Sequence, residues 1–260
     1  MMYATACDGV RIGYDILGTG RPLVMLHDFS QSSRFWCEHG YVKSCLTEGW
    51  QVLLIDLRSH GGSSKPSDAT ACAPINCSWD VIAVLDHAGI PRADILGYGF
   101  GGRTALCVAA RASDRVHAVA AGGAHPFAER TSFSANGKWL EAPGWLSGER
   151  LRAPAHHIIS VEGAPPSAAH DWPDISDAVA RSGMPVLLFV GDKDPHFGLS
   201  TSCAEQCGAR LIVLANHDYA TTAETGMAEA LPQILSFLDA PEKCTRQERL
   251  PLCRWSGSWP

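Results

Sequence analysis

Short apolar runs bounded by Gly, Pro, Asn or Asp alternate along the chain with stretches whose apolar positions follow a helical period. The runs Val10–Leu17, Leu23–His27, Val52–Asp56, Ile95–Tyr98, Val116–Ala121, Val186–Gly191 and Leu211–Leu214 read as strands. Helical periods cover Ser33–Glu48, Ile75–His87, Gly101–Ala112, Thr201–Cys207 and Thr222–Leu238. This order predicts an α/β protein with a mostly parallel sheet covered on both faces. The turn LGTGRP between the first two runs fits an antiparallel hairpin entering the sheet.

The alternation fails between residues 124 and 183. That interval holds Phe127, Phe133, Trp139, Trp145 and Trp172 among many Pro and Gly residues. So many aromatics need burial, which predicts an insertion lying over one end of the sheet. The expected organisation is a core of residues 1–123 and 184–240, a cap at 124–183, and an aperiodic tail at 241–260.

Composition narrows the class. A chain of 260 residues accommodates one large α/β domain with an insertion. Hydrophobic residues are 46% and charged residues 18%, which excludes intrinsic disorder. The net charge is -6 and no Lys/Arg run is present, so nucleic acid and anionic membranes are not expected partners. No apolar stretch reaches the length of a membrane span. The start MMYATACDGV does not read as a signal peptide, and a cytoplasmic setting is expected. Ten cysteines include the close pairs Cys72/Cys77 and Cys203/Cys207, but neither has C-x-x-C ligand spacing. Reduced thiols, no metal and no cofactor are the expectation.

The chemistry centres on Asp94–Leu106, DILGYGFGGRTAL. Gly97, Gly99 and Gly102 match the dinucleotide fingerprint G-x-G-x-x-G. That motif requires an acidic residue at the end of the next strand, and none lies between Ala118 and Pro126. The alternative is the nucleophile elbow G-x-S-x-G with glycine in place of serine.

Three further segments favour the elbow. PLVMLHDFSQSSRFW resembles the strand and oxyanion loop of the α/β-hydrolase superfamily. VLLIDLRSHGGSSKP resembles that family's D-x-R-G-H-G-x-S-x-x-P loop, with Ser59 where glycine is usual. PVLLFVGDKDPHF and LIVLANHDYATTAE resemble the segments carrying the triad acid and histidine. The resemblance runs from Tyr3 to Leu238. It implies an α/β-hydrolase fold: a mostly parallel central sheet flanked by helices, with a small cap inserted after the sixth strand.

Carried over residue by residue, the resemblance makes Asp194 the acid, His217 the base and Gly99 the vacant nucleophile position. Asp192 is the rival acid, and His196 and Asp218 are neighbours of the same chemical types. The Phe29 and Phe100 N–H groups become the oxyanion donors. Asp28 stands where glycine is usual, as a residue that tolerates left-handed backbone. His27 anchors the oxyanion loop by a hydrogen bond.

Glycine cannot form an acyl-enzyme, and it lacks the carboxylate that dehalogenases and epoxide-opening relatives carry at that position. Ser30, Ser32 and Ser33 could replace the missing hydroxyl only with a new geometry. The reading is a non-covalent hydrolase, lyase or isomerase in which His217, held by Asp194, acts on a small apolar carbonyl compound such as an ester or lactone. The void at Gly99 would admit a water or a substrate atom. Two alternatives remain: an inactive binder of a small molecule or protein, and a Ser-to-Gly variant of an ordinary serine esterase.

Overall fold

The computed structural model describes residues 1–29, 31–67, 69–133, 139–141 and 169–240. Eight strands form the main sheet: β1 (Met2–Thr5), β2 (Arg11–Leu17), β3 (Arg21–Leu26), β4 (Trp50–Ile55), β5 (Ala93–Tyr98), β6 (Val116–Gly122), β10 (Val186–Gly191) and β11 (Arg210–Leu214). Their order is β1-β2-β4-β3-β5-β6-β10-β11. The β1/β2 and β2/β4 pairs are antiparallel and the rest are parallel. A smaller sheet, β8-β7-β9, comes from β7 (Glu129–Phe133), β8 (Trp139–Glu141) and β9 (Ala169–Trp172).

The helices among the described residues are α1 (Arg34–Glu38), α2 (Tyr41–Thr47), α3 (Pro74–His87), α4 (Phe100–Arg111), α5 (Ser176–Arg181), α6 (Phe197–Cys207), α7 (Tyr219–Thr221) and α8 (Met227–Asp239). The stretch expected as one helix over Ser33–Glu48 is broken at Gly40, whose left-handed backbone (φ 77°) separates α1 from α2.

The strands of the parallel region are largely apolar, most completely at the centre of the sheet, because both faces are covered. In β3, Val24 and Leu26 face α3 and α4 beside Val81, Leu85 and Leu106. Leu23 and Met25 face the other way, toward Trp36, Tyr41 and the α8 residues Leu231 and Leu238. Ile175 and Val179, around α5, belong to the first of these cores, so the main packing unit includes residues before 184.

The turn LGTGRP does not close a hairpin: β4 lies between β2 and β3. The two glycines serve a crossing instead. A Cβ at Gly18 or Gly20 would strike the backbone of Gly49 and Trp50 at the start of β4, so the turn passes flush beneath that strand.

Strand order reverses at β3, whose neighbours are β4 and β5. The helices after β3 cover one face and the helix after β5 covers the other. The carboxyl ends of β3 and β5 therefore mark the place where open α/β sheets bind ligands.

Candidate active site

The turn from β5 into α4 makes the backbone of DILGYGFGG converge on the end of β3. Gly99 sits at its apex with φ 53° and ψ -116°. Its N–H donates to the Gly122 carbonyl at 2.8 Å, and its own carbonyl accepts from Arg103 N–H at 2.9 Å. A Cβ at Gly97 would strike Gly101, and one at Gly101 would strike the Leu26 carbonyl. These glycines allow the close approach of α4 to β3 and give a strand–turn–helix elbow, with no nucleotide loop.

Two loops brace the oxyanion segment. Leu57 N–H donates to His27 Nε2 at 3.0 Å, which leaves His27 Nδ1–H to donate to the Asp28 carbonyl at 2.7 Å. Burial, with His60 nearby, lowers the His27 pKa to about 3, so this tautomer stays neutral. His60 contacts the carbonyls of both Arg58 and Phe29, tying the loop after β4 to the loop after β3. Ser59 keeps a left-handed backbone there (φ 69°) although it is not glycine.

Asp28 is not in the left-handed region expected of a glycine replacement. Its importance lies in its side chain. Oδ1 accepts from Phe29 N–H at 2.7 Å and from Phe100 N–H at 2.8 Å. The two expected oxyanion donors do converge, and what they hold is the protein's own carboxylate. Oδ2 accepts from the Tyr219 hydroxyl at 2.8 Å. Burial raises the Asp28 pKa, opposed by the Phe100 N–H, the Tyr219 hydroxyl and the Phe29 N–H.

The space beside Gly99 is accordingly filled. A Cβ built there would overlap Tyr219 Oη and Asp28 Oδ1. The void expected for a water is the seat of this pair.

His217 is not brought to the elbow. Its Nδ1–H donates to the Ala215 carbonyl at 2.9 Å, and its Nε2 lies 3.9 Å from Glu229 Oε1. Its ring packs against Gly226 at the start of α8. Asn216, left-handed at φ 66°, and Asp218, which caps α7 by accepting Thr221 N–H at 2.9 Å, set the course of this loop. That course presents Tyr219, two residues after His217, to Gly99. Tyr219 is not among the expected site residues, and its signal in the sequence is the aromatic that opens the helical stretch in NHDYATTAE.

Asp194 is buried after β10. Its Oδ1 accepts His196 N–H at 2.7 Å, while its buried Oδ2 has no hydrogen-bond partner among the described residues. Burial raises its pKa to about 6, with the Asp218 and Asp28 charges adding to the shift. Among the described residues no imidazole therefore reaches the Oδ2 of Asp194, the residue expected as the acid. Asp192 instead accepts Asn216 N–H at 2.7 Å in the turn. The His196 ring meets Tyr219 edge-on at 5.7 Å, and burial lowers its pKa to about 4. Of the serines considered as substitutes, Ser33 is buried and its N–H donates to Asp56 Oδ1 at 2.8 Å, while Ser30 lies outside the described residues.

Aromatic rings wall the elbow: Phe29 meets Phe100 at 5.5 Å, and Phe100 meets Trp172 at 5.8 Å. No His/Cys/Asp/Glu group suited to a metal ion occurs among the described residues, and no described helix is long and apolar enough to cross a membrane.

Comparison with known proteins agrees with this architecture. The mouse bifunctional epoxide hydrolase 2 is 31% identical over 119 residues, 45% of this chain and 21% of that protein. A Burkholderia fluoroacetate dehalogenase is 30% identical over 171 residues, 62% of this chain and 52% of that protein. The matches thus span between about a fifth and a half of these relatives. A carboxylesterase structure from the thaumarchaeon Nitrososphaera gargenis superposes with a TM-score of 0.71 at 18% identity, covering 92% of this chain and 100% of that one. The family model for the alpha/beta hydrolase fold matches residues 21–153. With the eight-stranded sheet, the reversal at β3 and the elbow at Gly99, the chain belongs to the α/β-hydrolase fold family.

Proposed function

We propose that the protein is an enzyme that transforms a small, largely apolar carbonyl compound without forming an acyl-enzyme. The observation that carries this reading is the elbow itself: Gly99 has no side chain, and a carboxylate and a phenol occupy the space where a nucleophile and its base would meet. The acid–base role expected of His217 passes to the groups that face Gly99. The aromatic wall of Phe29, Phe100 and Trp172 suits an apolar substrate.

A second reading, a binder without catalysis, draws on one feature: both oxyanion N–H donors are already taken by Asp28. A fluorophosphonate probe and a panel of esters, lactones, thioesters and enolisable ketones separate the two. The enzyme reading expects no labelling by the probe together with turnover of some member of the panel. A blank panel with ligand-induced thermal stabilisation would establish the binder, and labelling of the wild-type chain would overturn both.

A further inference from the structure

We infer that Asp28 and Tyr219 are a proton-transfer pair, and that the reaction is enolisation or double-bond isomerisation of a carbonyl compound with an acidic α C–H. This rests on the enzyme reading above and selects one branch of it. Ester or lactone hydrolysis needs donors free to hold a tetrahedral oxyanion. Here the Phe29 and Phe100 N–H groups are both spent on Asp28 Oδ1, at 2.7 and 2.8 Å. Proton transfer has no such need. It requires a fixed base and one O–H donor beside it, and Asp28 Oδ2 and the Tyr219 hydroxyl stand 2.8 Å apart.

The two amides hold the carboxylate in one orientation, so Oδ2 is the oxygen offered to a substrate. Gly99 contributes by omission, since any side chain there would displace both groups. The direction of each group's affinity for protons also fits. Burial raises Asp28, which suits a base, and keeps Tyr219 well above the ordinary phenol value, which suits a hydrogen-bond donor that retains its proton.

In the step, the α C–H bond breaks and its proton passes to Asp28 Oδ2. The electron pair left on carbon moves into the enolate, placing the charge on the carbonyl oxygen. As Asp28 becomes neutral, Oδ2 becomes the weaker acceptor, and the Tyr219 hydroxyl turns to the enolate oxygen. Asp28 then returns the proton to the same carbon or to the γ-carbon of a conjugated enolate. The second outcome is an isomer, and no other reactant is consumed.

The test uses the full chain with cyclohex-3-en-1-one and 2-indanone in D2O. Isomerisation is followed by absorbance and deuterium uptake by proton NMR. Wild type should accelerate uptake or isomerisation about 100-fold or more over buffer. Asp28→Asn should return it to the buffer rate, and Tyr219→Phe should lower it about 10- to 100-fold, with thermal unfolding confirming that each variant is folded. A wild-type rate equal to buffer for both ketones overturns the pair, as does activity surviving in folded Asp28→Asn. If esters or lactones are turned over while neither ketone exchanges, the enzyme reading stands and this inference falls. If nothing is turned over and ligands only stabilise the fold, both fall.

Discussion

Gly99 combines a positive φ of 53° with a neighbourhood that leaves no room for a Cβ. Adding one incurs backbone strain of about 1–3 kcal/mol and overpacking of about 1–3 kcal/mol. Gly99→Ala is therefore expected to destabilise the fold by about 2–6 kcal/mol in urea unfolding. Pairing it with Asp28→Gly should remove part of that loss, and strict additivity of the two changes would argue against their contact. The same packing bears on the idea of an ordinary esterase with its serine deleted. Gly99→Ser alone should not react with a fluorophosphonate, because the new hydroxyl would meet Asp28 and Tyr219 in place of a base imidazole. Gly99→Ser with Asp28→Gly and Tyr219→His frees the two N–H donors and puts an imidazole where Tyr219 now feels the charge of Asp194. Labelling of that triple variant is the expected result, and its failure would show that Tyr219 does not stand at a base's position. At this scale the sequence was readable as far as the elbow and its two amides. What it concealed was which member of NHDY faces Gly99, since that depends on the left-handed Asn216 and the Asp218 cap. It also concealed the role of Asp28, because a residue standing in for a loop glycine gives no sign that its carboxylate reaches across to α4 and α7.

Helix α4 joins the elbow to the interval expected as a cap. One turn after Gly99, buried Arg103 donates to the Phe127 carbonyl at 2.8 Å and to the carbonyls of His125 and Pro173. The chain leaves the main sheet through His125 and Phe127 and returns through Pro173, so one guanidinium holds both crossings. Arg103→Met should free these carbonyls and destabilise the protein by roughly 2–4 kcal/mol. Amide exchange should rise most at residues 125–128 and 172–176, and equal protection there in both proteins would refute the clamp. The element pattern explains why most of the fold was legible and some was not. The strands of the parallel region are largely apolar runs, and α3, α4 and α8 have long helical periods, so their hydrophobic pattern alone identifies them. β1 escaped notice because Met2–Thr5 buries Ala4 alone of its four side chains. The hairpin expectation failed because LGTG is equally a turn and a crossing, and only the placement of β4 between β2 and β3 decides which.

Across the whole molecule, burial sets two groups of ionisable residues against each other. Asp80, Asp94 and Asp194 have pKa values raised by burial to about 6, 7 and 6. His27, His125 and His196 are lowered to about 3, 3 and 4, chiefly by burial, and His60 is lowered as well. A carboxyl whose folded pKa is raised contributes stability below its unfolded value and loses it as pH rises through the folded one. A histidine whose folded pKa is lowered does the opposite: its contribution is present above the unfolded value near 6.5 and is lost as pH falls toward the folded one. The two sets oppose each other between about pH 4 and 6.5, so the overall stability profile does not isolate either. A variant comparison does. Asp194 keeps one buried oxygen without a hydrogen-bond partner among the described residues, so its ionisation is a cost that asparagine would not carry. From a folded pKa of about 6, that cost is about 1 kcal/mol at pH 4.5 and about 3 kcal/mol at pH 8. The stability of Asp194→Asn relative to wild type should therefore increase by about 2 kcal/mol between those pH values in urea unfolding. A difference independent of pH would mean that Asp194 is already ionised at pH 4.5. It would then need a cationic partner on its free oxygen, which is the role a triad histidine would fill.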